Sequence, residues 1–209
     1  MSEFTYEKKD TESRLENCEW DNVWWEKAGK DDLFRVLYIG DSISCGIRRA
    51  AAEIADKSMV FDVLGTSKAV DNPYLCQKIS LFAAQQRGRG AVLFNNGLHG
   101  WHLSDEDGYA AHYEGLVRFL LQSFPETPIF LVLTSAVANE ERGLRVAARN
   151  RAVLRLAEKY ALPVIDLYSI TDLHRDLLLP DGVHLTPEGY KLLARAVIDA
   201  IEKTKDKTI

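Results

Sequence analysis

Cysteine is scarce in this 209-residue chain: Cys18, Cys45 and Cys76 are its three, widely spaced and with no Cys-x-x-Cys pair. An odd, scattered set supports neither a disulfide framework nor a zinc site, so reduced thiols and no metal are expected. Long apolar runs are missing as well. No segment approaches the ~18 apolar residues that a membrane span needs, and the start, MSEFTYEKKDTESRLENCEW, lacks the apolar core of a secretory signal. A soluble, cytoplasmic protein without a membrane partner is expected. Positive charge is nowhere concentrated, with 26 Lys and Arg against 31 Asp and Glu and a formal net charge of -5. That argues against a nucleic-acid partner and for a small neutral or amphiphilic substrate.

What is present is a chain 46% apolar, enough for one domain with a sizeable core. Five short apolar runs recur: RVLYIG (35–40), MVFDVLG (59–65), AVLFNNG (91–97), PIFLVLTS (128–135) and PVIDLY (163–168). They are near-continuous rather than alternating, as strands buried on both faces are. Stretches of helical length separate them. Tyr109, Tyr113, Leu116, Val117, Leu120 and Leu121 form one stripe, and a last helix opens with Thr186 as cap and Pro187 at its first position. On it Leu193, Ala196, Val197, Ala200 and Ile201 share a face. The alternation predicts a parallel sheet between two helix layers, a three-layer α/β/α sandwich that binds ligands at the carboxyl ends of its strands.

Residues 1–33 fit no strand-helix unit yet carry Trp20, Trp24 and Trp25. An aromatic-rich segment is expected to pack on the domain of residues 34–209 or on a second subunit, which leaves a homo-oligomer open.

Ser42 ends the first run, where the chain should turn into a helix near Ile43. Such a turn exposes the hydroxyl beside backbone N–H groups; equally, Ser42 could only cap the helix. Before the last helix, LLLPDGVHLTPEGY puts Asp181 and His184 three residues apart. A serine becomes a nucleophile when an imidazole takes its proton and a carboxylate holds that imidazole. The plainer reading is an Asp181-Gly182 turn with a loop histidine. The combination, in the order Ser, Asp, His, is the informative signal.

Gly40-Asp41-Ser42 and Asp181-x-x-His184 resemble the first and last blocks of the SGNH or GDSL hydrolases, over roughly residues 35–203. The resemblance implies a flavodoxin-like five-stranded parallel sheet, ester hydrolysis through an acyl-serine, and no cofactor. It makes Ser42 the nucleophile, His184 the base and Asp181 its orienting partner. It further implies an oxyanion hole of three donors: the Ser42 N–H, a glycine N–H for which Gly65 is the candidate, and an asparagine amide. The asparagine block reads Gly97-Leu98-His99-Gly100 here, so His99 stands in the asparagine position, with Asn96 as its rival. A neutral imidazole can donate one N–H. Gly65 can also be read as a turn glycine and His99 as a structural loop residue.

Trp101 and His102 follow and could wall a substrate pocket or close the loop onto a helix. Cys45 reads as a small core residue, Asn139, Glu140 and Arg142 as overhanging the site or merely solvated, and Asp166 as buried near Asp181 and His184. The reading with most support is a serine esterase that removes small acyl groups, acetyl above all, from carbohydrates. The alternatives are a catalytically weak acyl-sugar binding module, a lysophospholipase or thioesterase of the same family, and a flavodoxin-like cofactor binder. The last is disfavoured because the first turn holds one glycine where a phosphate loop wants several.

Overall fold

A computed structural model describes residue 15 and residues 18–57, 59–85 and 88–205; of the N-terminal 33 residues, the others lie outside the described ones. The chain runs β1 (Asp21–Trp24), β2 (Phe34–Gly40), α1 (Ser42–Ile54), β3 (Met59–Thr66), α2 (Leu75–Ala84), β4 (Arg89–Phe94) and α3 (Glu106–Ser123). It continues with β5 (Ile129–Val132), α4 (Glu140–Lys159), β6 (Val164–Ile165), α5 (Leu167–Leu173), a 3-10 turn at Arg175–Leu177 and α6 (Pro187–Lys205).

The strands join in the order β1-β3-β2-β4-β5-β6. From β3 to β6 every pairing is parallel, giving the expected flavodoxin-like order, and all five strands coincide with the apolar runs. Alternate strand residues enter two cores. Val36, Tyr38, Phe61, Val63 and Leu93 pack under α1 and α6, whereas Leu37, Ile39, Leu64, Val92 and Phe94 pack against α2, α3 and α4. With both faces covered, neither set can be polar, which is why these strands read as continuous apolar runs. The helix stripes follow suit: Tyr109, Tyr113, Leu116, Val117 and Leu120 of α3 are buried, as are Leu193, Val197 and Ile201 of α6.

The sheet has a sixth strand beyond the five expected. β1 adds antiparallel to the outer edge of β3, with Asn22 opposite Gly65 and Trp24 opposite Val63. Arg35 anchors it: its guanidinium bonds both oxygens of Asp62 at 2.9 Å and also donates to the carbonyls of Glu26, Lys27 and Lys30. Both partners are almost wholly buried, at 4% and 0% side-chain exposure, so the ion pair stands only because it is fully hydrogen-bonded. Glu26 returns the link by accepting from the Phe61 N–H. Beside it, Trp25 stacks on Phe82 of α2, with centroids 4.1 Å apart.

β2 pairs with β3 on one side and β4 on the other, and its connection to β3 runs across the opposite face from the connection of β3 to β4. The carboxyl end of β2 is therefore the point where the winding reverses, the usual place for a ligand in such sheets. Ser42 is the second residue beyond Gly40, the last of β2.

Candidate active site

The first turn of α1 is built by Asp41, not by Ser42 as a cap. Asp41 stands in extended backbone as the N-cap, and its Oδ1 accepts from the Ile43 N–H at 2.9 Å. Ser42 is thereby the first helical residue, its hydroxyl unused by the cap and its N–H among those a helix start leaves without an internal partner. Below it, Ser44 Oγ donates to the Asp41 carbonyl at 2.6 Å, fixing the turn. Burial pushes the Asp41 carboxyl up to about 6, although the Ile43 and Ser44 amides pull the other way.

The imidazole arrives from the loop before α6. Leu178 and Leu185 pair, the Leu179 N–H donates to the His184 carbonyl at 2.7 Å, and the Gly182 N–H closes a turn onto the Leu179 carbonyl at 2.8 Å. Gly182 has φ +71°, and a Cβ there would meet Ala138 Cβ at 2.8 Å, so this turn requires glycine. Asp181 Oδ1 accepts from the Val183 and His184 N–H groups, and Oδ2 lies 2.7 Å from His184 Nδ1. The other ring nitrogen, Nε2, lies 2.8 Å from Ser42 Oγ. Hydroxyl, imidazole and carboxylate thus form one relay across 142 residues of sequence separation. Burial raises the Asp181 carboxyl, but the Val183 N–H and the His184 ring and N–H outweigh it and leave the group below the usual carboxylate range. Asp181 therefore stays ionised and holds the proton on Nδ1, leaving Nε2 to accept from the serine.

Ser42 and His184 open into a pocket of about 330 Å3 shared with Trp20, Asn22, Cys45, Leu98 and His99. His99 is 6% exposed and presents its ring edge-on to Trp20 at 6.0 Å between centroids. Its backbone is pinned by Arg149, a buried residue of α4 whose guanidinium donates to the carbonyls of Gly97 (2.9 Å), His99 (2.7 Å) and Gly100 (2.6 Å). Gly97 has no room for more: a Cβ would sit 1.9 Å from Thr134 Oγ1. Burial, and after it Asp41, pushes the Cys45 thiol up to about 11, so it stays protonated and unreactive as a small packing residue.

Several expected site residues take other work. Asn96 turns inward, its side-chain amide donating to the Lys68 carbonyl at 2.7 Å and its backbone carbonyl accepting from the Tyr109 hydroxyl. Of the two rival donors, His99 lines the pocket with Ser42. Trp101 lies under the guanidinium groups of Arg142, Arg145 and Arg149, at 5.4, 5.1 and 4.7 Å from its centroid, and closes the loop onto α4. His102 is paired with Asp71 at 2.6 Å, both side chains buried. Neither Trp101 nor His102 is among the residues lining the pocket. Asn139 caps α4 through the Arg142 N–H. Asp166 is exposed rather than buried and caps α5 through the Ser169 N–H.

Gly65 packs against Cys45, where a Cβ would sit 2.2 Å from Sγ. Its N–H, however, is turned toward β1. In an antiparallel ladder alternate pairs exchange hydrogen bonds; the Ser67 N–H donates to the Trp20 carbonyl, so the next bonded pair is Gly65 with Asn22. The Phe61 N–H, four residues back on the same strand, points to the same edge and meets Glu26.

Sequence reasoning missed Arg149, Asn22 and Trp20 as parts of this site. Arg149 had a readable signal, since it falls on the same helical stripe as Val146, Val153 and Leu156, an apolar face on which a charge needs a buried partner. Among the described residues no group of three or more His, Cys, Asp or Glu is arranged to hold a metal ion. Nor is any described helix long and apolar enough to cross a membrane.

Comparison with known proteins agrees with this fold. The acetylxylan esterase Axe2 of Geobacillus stearothermophilus superposes with TM-score 0.61 at 19% identity, over 82% of this chain and 96% of that one. The C-terminal catalytic domain of Streptococcus pneumoniae peptidoglycan O-acetyltransferase A, solved with a methylsulfonyl adduct, superposes with TM-score 0.64 at 18% identity, over 83% and 96%. A Bacillus subtilis (strain 168) protein named as a candidate peptidoglycan O-acetyltransferase, YrhL, is 24% identical over 200 residues; the match takes in 95% of this chain but spans only 27% of that relative. The model of the GDSL-like Lipase/Acylhydrolase family matches residues 38–192, from within β2 to within α6, and the chain belongs to that family.

Proposed function

We propose that this protein is a serine esterase that removes small acyl groups, acetyl foremost, from carbohydrate hydroxyls through an acyl-serine. The observation that carries the reading is the relay of Asp181 Oδ2, His184 and Ser42 Oγ, with contacts of 2.7 and 2.8 Å. His184 Nε2 takes the Ser42 proton as Oγ bonds to the ester carbonyl carbon, and the carbonyl π pair moves onto oxygen. The oxyanion is received by the Ser42 N–H at the start of α1 and by the pocket wall, where His99 can donate. Collapse expels the alcohol with the proton from His184. Water, deprotonated by the same nitrogen, then attacks the acyl-serine and releases the acid and free Ser42. A pocket of about 330 Å3 suits a short acyl group.

Acyl transfer is the second reading, favoured by the acetyltransferase names among the relatives. There an acceptor hydroxyl replaces water in the second step. With p-nitrophenyl acetate and acetylated xylan as substrates, wild type should release acetate, and Ser42→Ala should be at least about 10^3-fold slower in kcat. Equal rates in the two proteins would end the esterase reading. Adding a sugar alcohol and measuring acetylated alcohol against free acetate separates hydrolysis from transfer.

A further inference from the structure

The N-terminal strand β1 lies outside the matched family region, yet its Asn22, and Trp20 immediately before it, line the pocket of Ser42. Directly opposed residues of an antiparallel pair project to the same side. Asn22 is opposite Gly65, and the direction in which a Gly65 Cβ would point runs to Cys45 Sγ, the Asp41 carbonyl and the Trp20 ring. The Asn22 side chain therefore hangs over Cys45 and the first turn of α1. The strand that brings it there also takes up the Gly65 N–H through the Asn22 carbonyl, by the alternation of the ladder. One backbone donor is removed from the pocket and one side-chain amide is delivered to it by the same residue. No hydrogen bond among the described residues engages that amide, whereas the amide of Asn96 is spent on the Lys68 carbonyl.

We propose that the Asn22 side-chain amide donates to the oxyanion formed at Ser42, in the place the Gly65 N–H would fill, so that β1 is part of the catalytic apparatus. This rests on the hydrolase reading above. The amide transfers nothing: it offers one N–H to the oxygen that gains the carbonyl π pair, while the proton passes from Ser42 to His184. A donor aimed at charge that exists only in the transition state acts on kcat rather than on KM.

The test compares wild type, Asn22→Ala, Asn22→Asp and Ser42→Ala on p-nitrophenyl acetate, with tryptophan emission followed to report the Trp25–Phe82 stack and hence the docking of β1. Asn22→Ala should lose about 10^2-fold in kcat with KM within about threefold. Asn22→Asp, equal in shape but carrying an acceptor and a negative charge, should lose at least as much with tryptophan emission unchanged. If Asn22→Asp keeps β1 docked and its kcat stays within about threefold of wild type while Ser42→Ala is dead, the role of Asn22 is refuted and the esterase stands. If Ser42→Ala is as fast as wild type, the esterase reading falls and takes this role with it.

Discussion

At the residue scale, Asp41 and Ser42 divide between them what one residue could have done. The cap falls to Asp41 because a carboxylate oxygen three bonds from the backbone Cα reaches the Ile43 N–H, and this frees the neighbouring hydroxyl for the imidazole. Asp41 is 2% exposed, and its Oδ2 is buried with no hydrogen-bond partner among the described residues. With a folded pKa of about 6 against an ordinary 3.8, the folded protein holds a proton that the unfolded chain releases. The stability from this group is thus complete below 3.8 and lost as pH rises through about 6, on the order of 3 kcal/mol in all. Asn also caps helices, so Asp41→Asn should keep α1 and abolish this loss. Urea unfolding at about pH 4 and about pH 7 should show a smaller fall in stability for the variant than for wild type. Arg149 is the other decisive residue. Arg149→Met should take the guanidinium donor away from three carbonyls of the 97–100 loop, of which Gly100 keeps the Leu103 N–H, destabilise by several kcal/mol and lower kcat by displacing His99. A melting curve and a kcat equal to wild type would contradict that. Ser42, Asp181 and His184 were readable because these residue types are rare in this order; Arg149 was passed over because a charge is ordinarily solvated, although its place on the apolar stripe of α4 marks it as one that needs a buried partner.

At the scale of elements, the five parallel strands were legible because burial on both faces leaves a continuous apolar signature. β1 left no such mark: Asp21, Asn22, Val23 and Trp24 are all exposed residues, so no alternation of burial distinguishes them from a loop. What makes them a strand lies elsewhere, in the free edge of β3 and in the Arg35–Asp62 pair that holds residues 26–30. Removing one member of a buried, hydrogen-bonded pair typically costs about 3–5 kcal/mol. Arg35→Met should therefore lower the melting temperature by on the order of 10 °C for a domain of this size and release β1 from the sheet. The double variant Arg35→Met/Asp62→Leu, which leaves no orphan charge, should recover much of that loss. Calorimetry on the three proteins checks both statements, and a double variant no better than the single would contradict the account.

At the scale of the whole molecule, the reversal of winding beside β2 gathers residues from both ends of the chain around one strand terminus. Ser42 leaves β2, Leu98 and His99 leave β4, Asp181 and His184 precede α6, and Trp20 and Asn22 come from the added edge. The pocket they enclose is small and walled by the Trp20 ring. Rates on p-nitrophenyl esters should accordingly fall steeply beyond short acyl chains, and Trp20→Ala should relax that limit toward longer chains. A wild-type profile flat from acetate to octanoate would remove the size argument.

The sequence by itself determined the α/β layering and the order Ser42, Asp181, His184, because burial periodicity and proton-transfer chemistry are both written locally. Only the tertiary structure decided which donors are left facing the Ser42 pocket. Gly65, Asn96 and His99 all stand at strand ends, but an N–H can serve one acceptor well at a time. β1 takes the Gly65 N–H and the Lys68 carbonyl takes the Asn96 amide, while Arg149 holds His99 in the pocket. Competition for a hydrogen bond is settled by neighbours in space, and those neighbours here come from segments far apart in the chain.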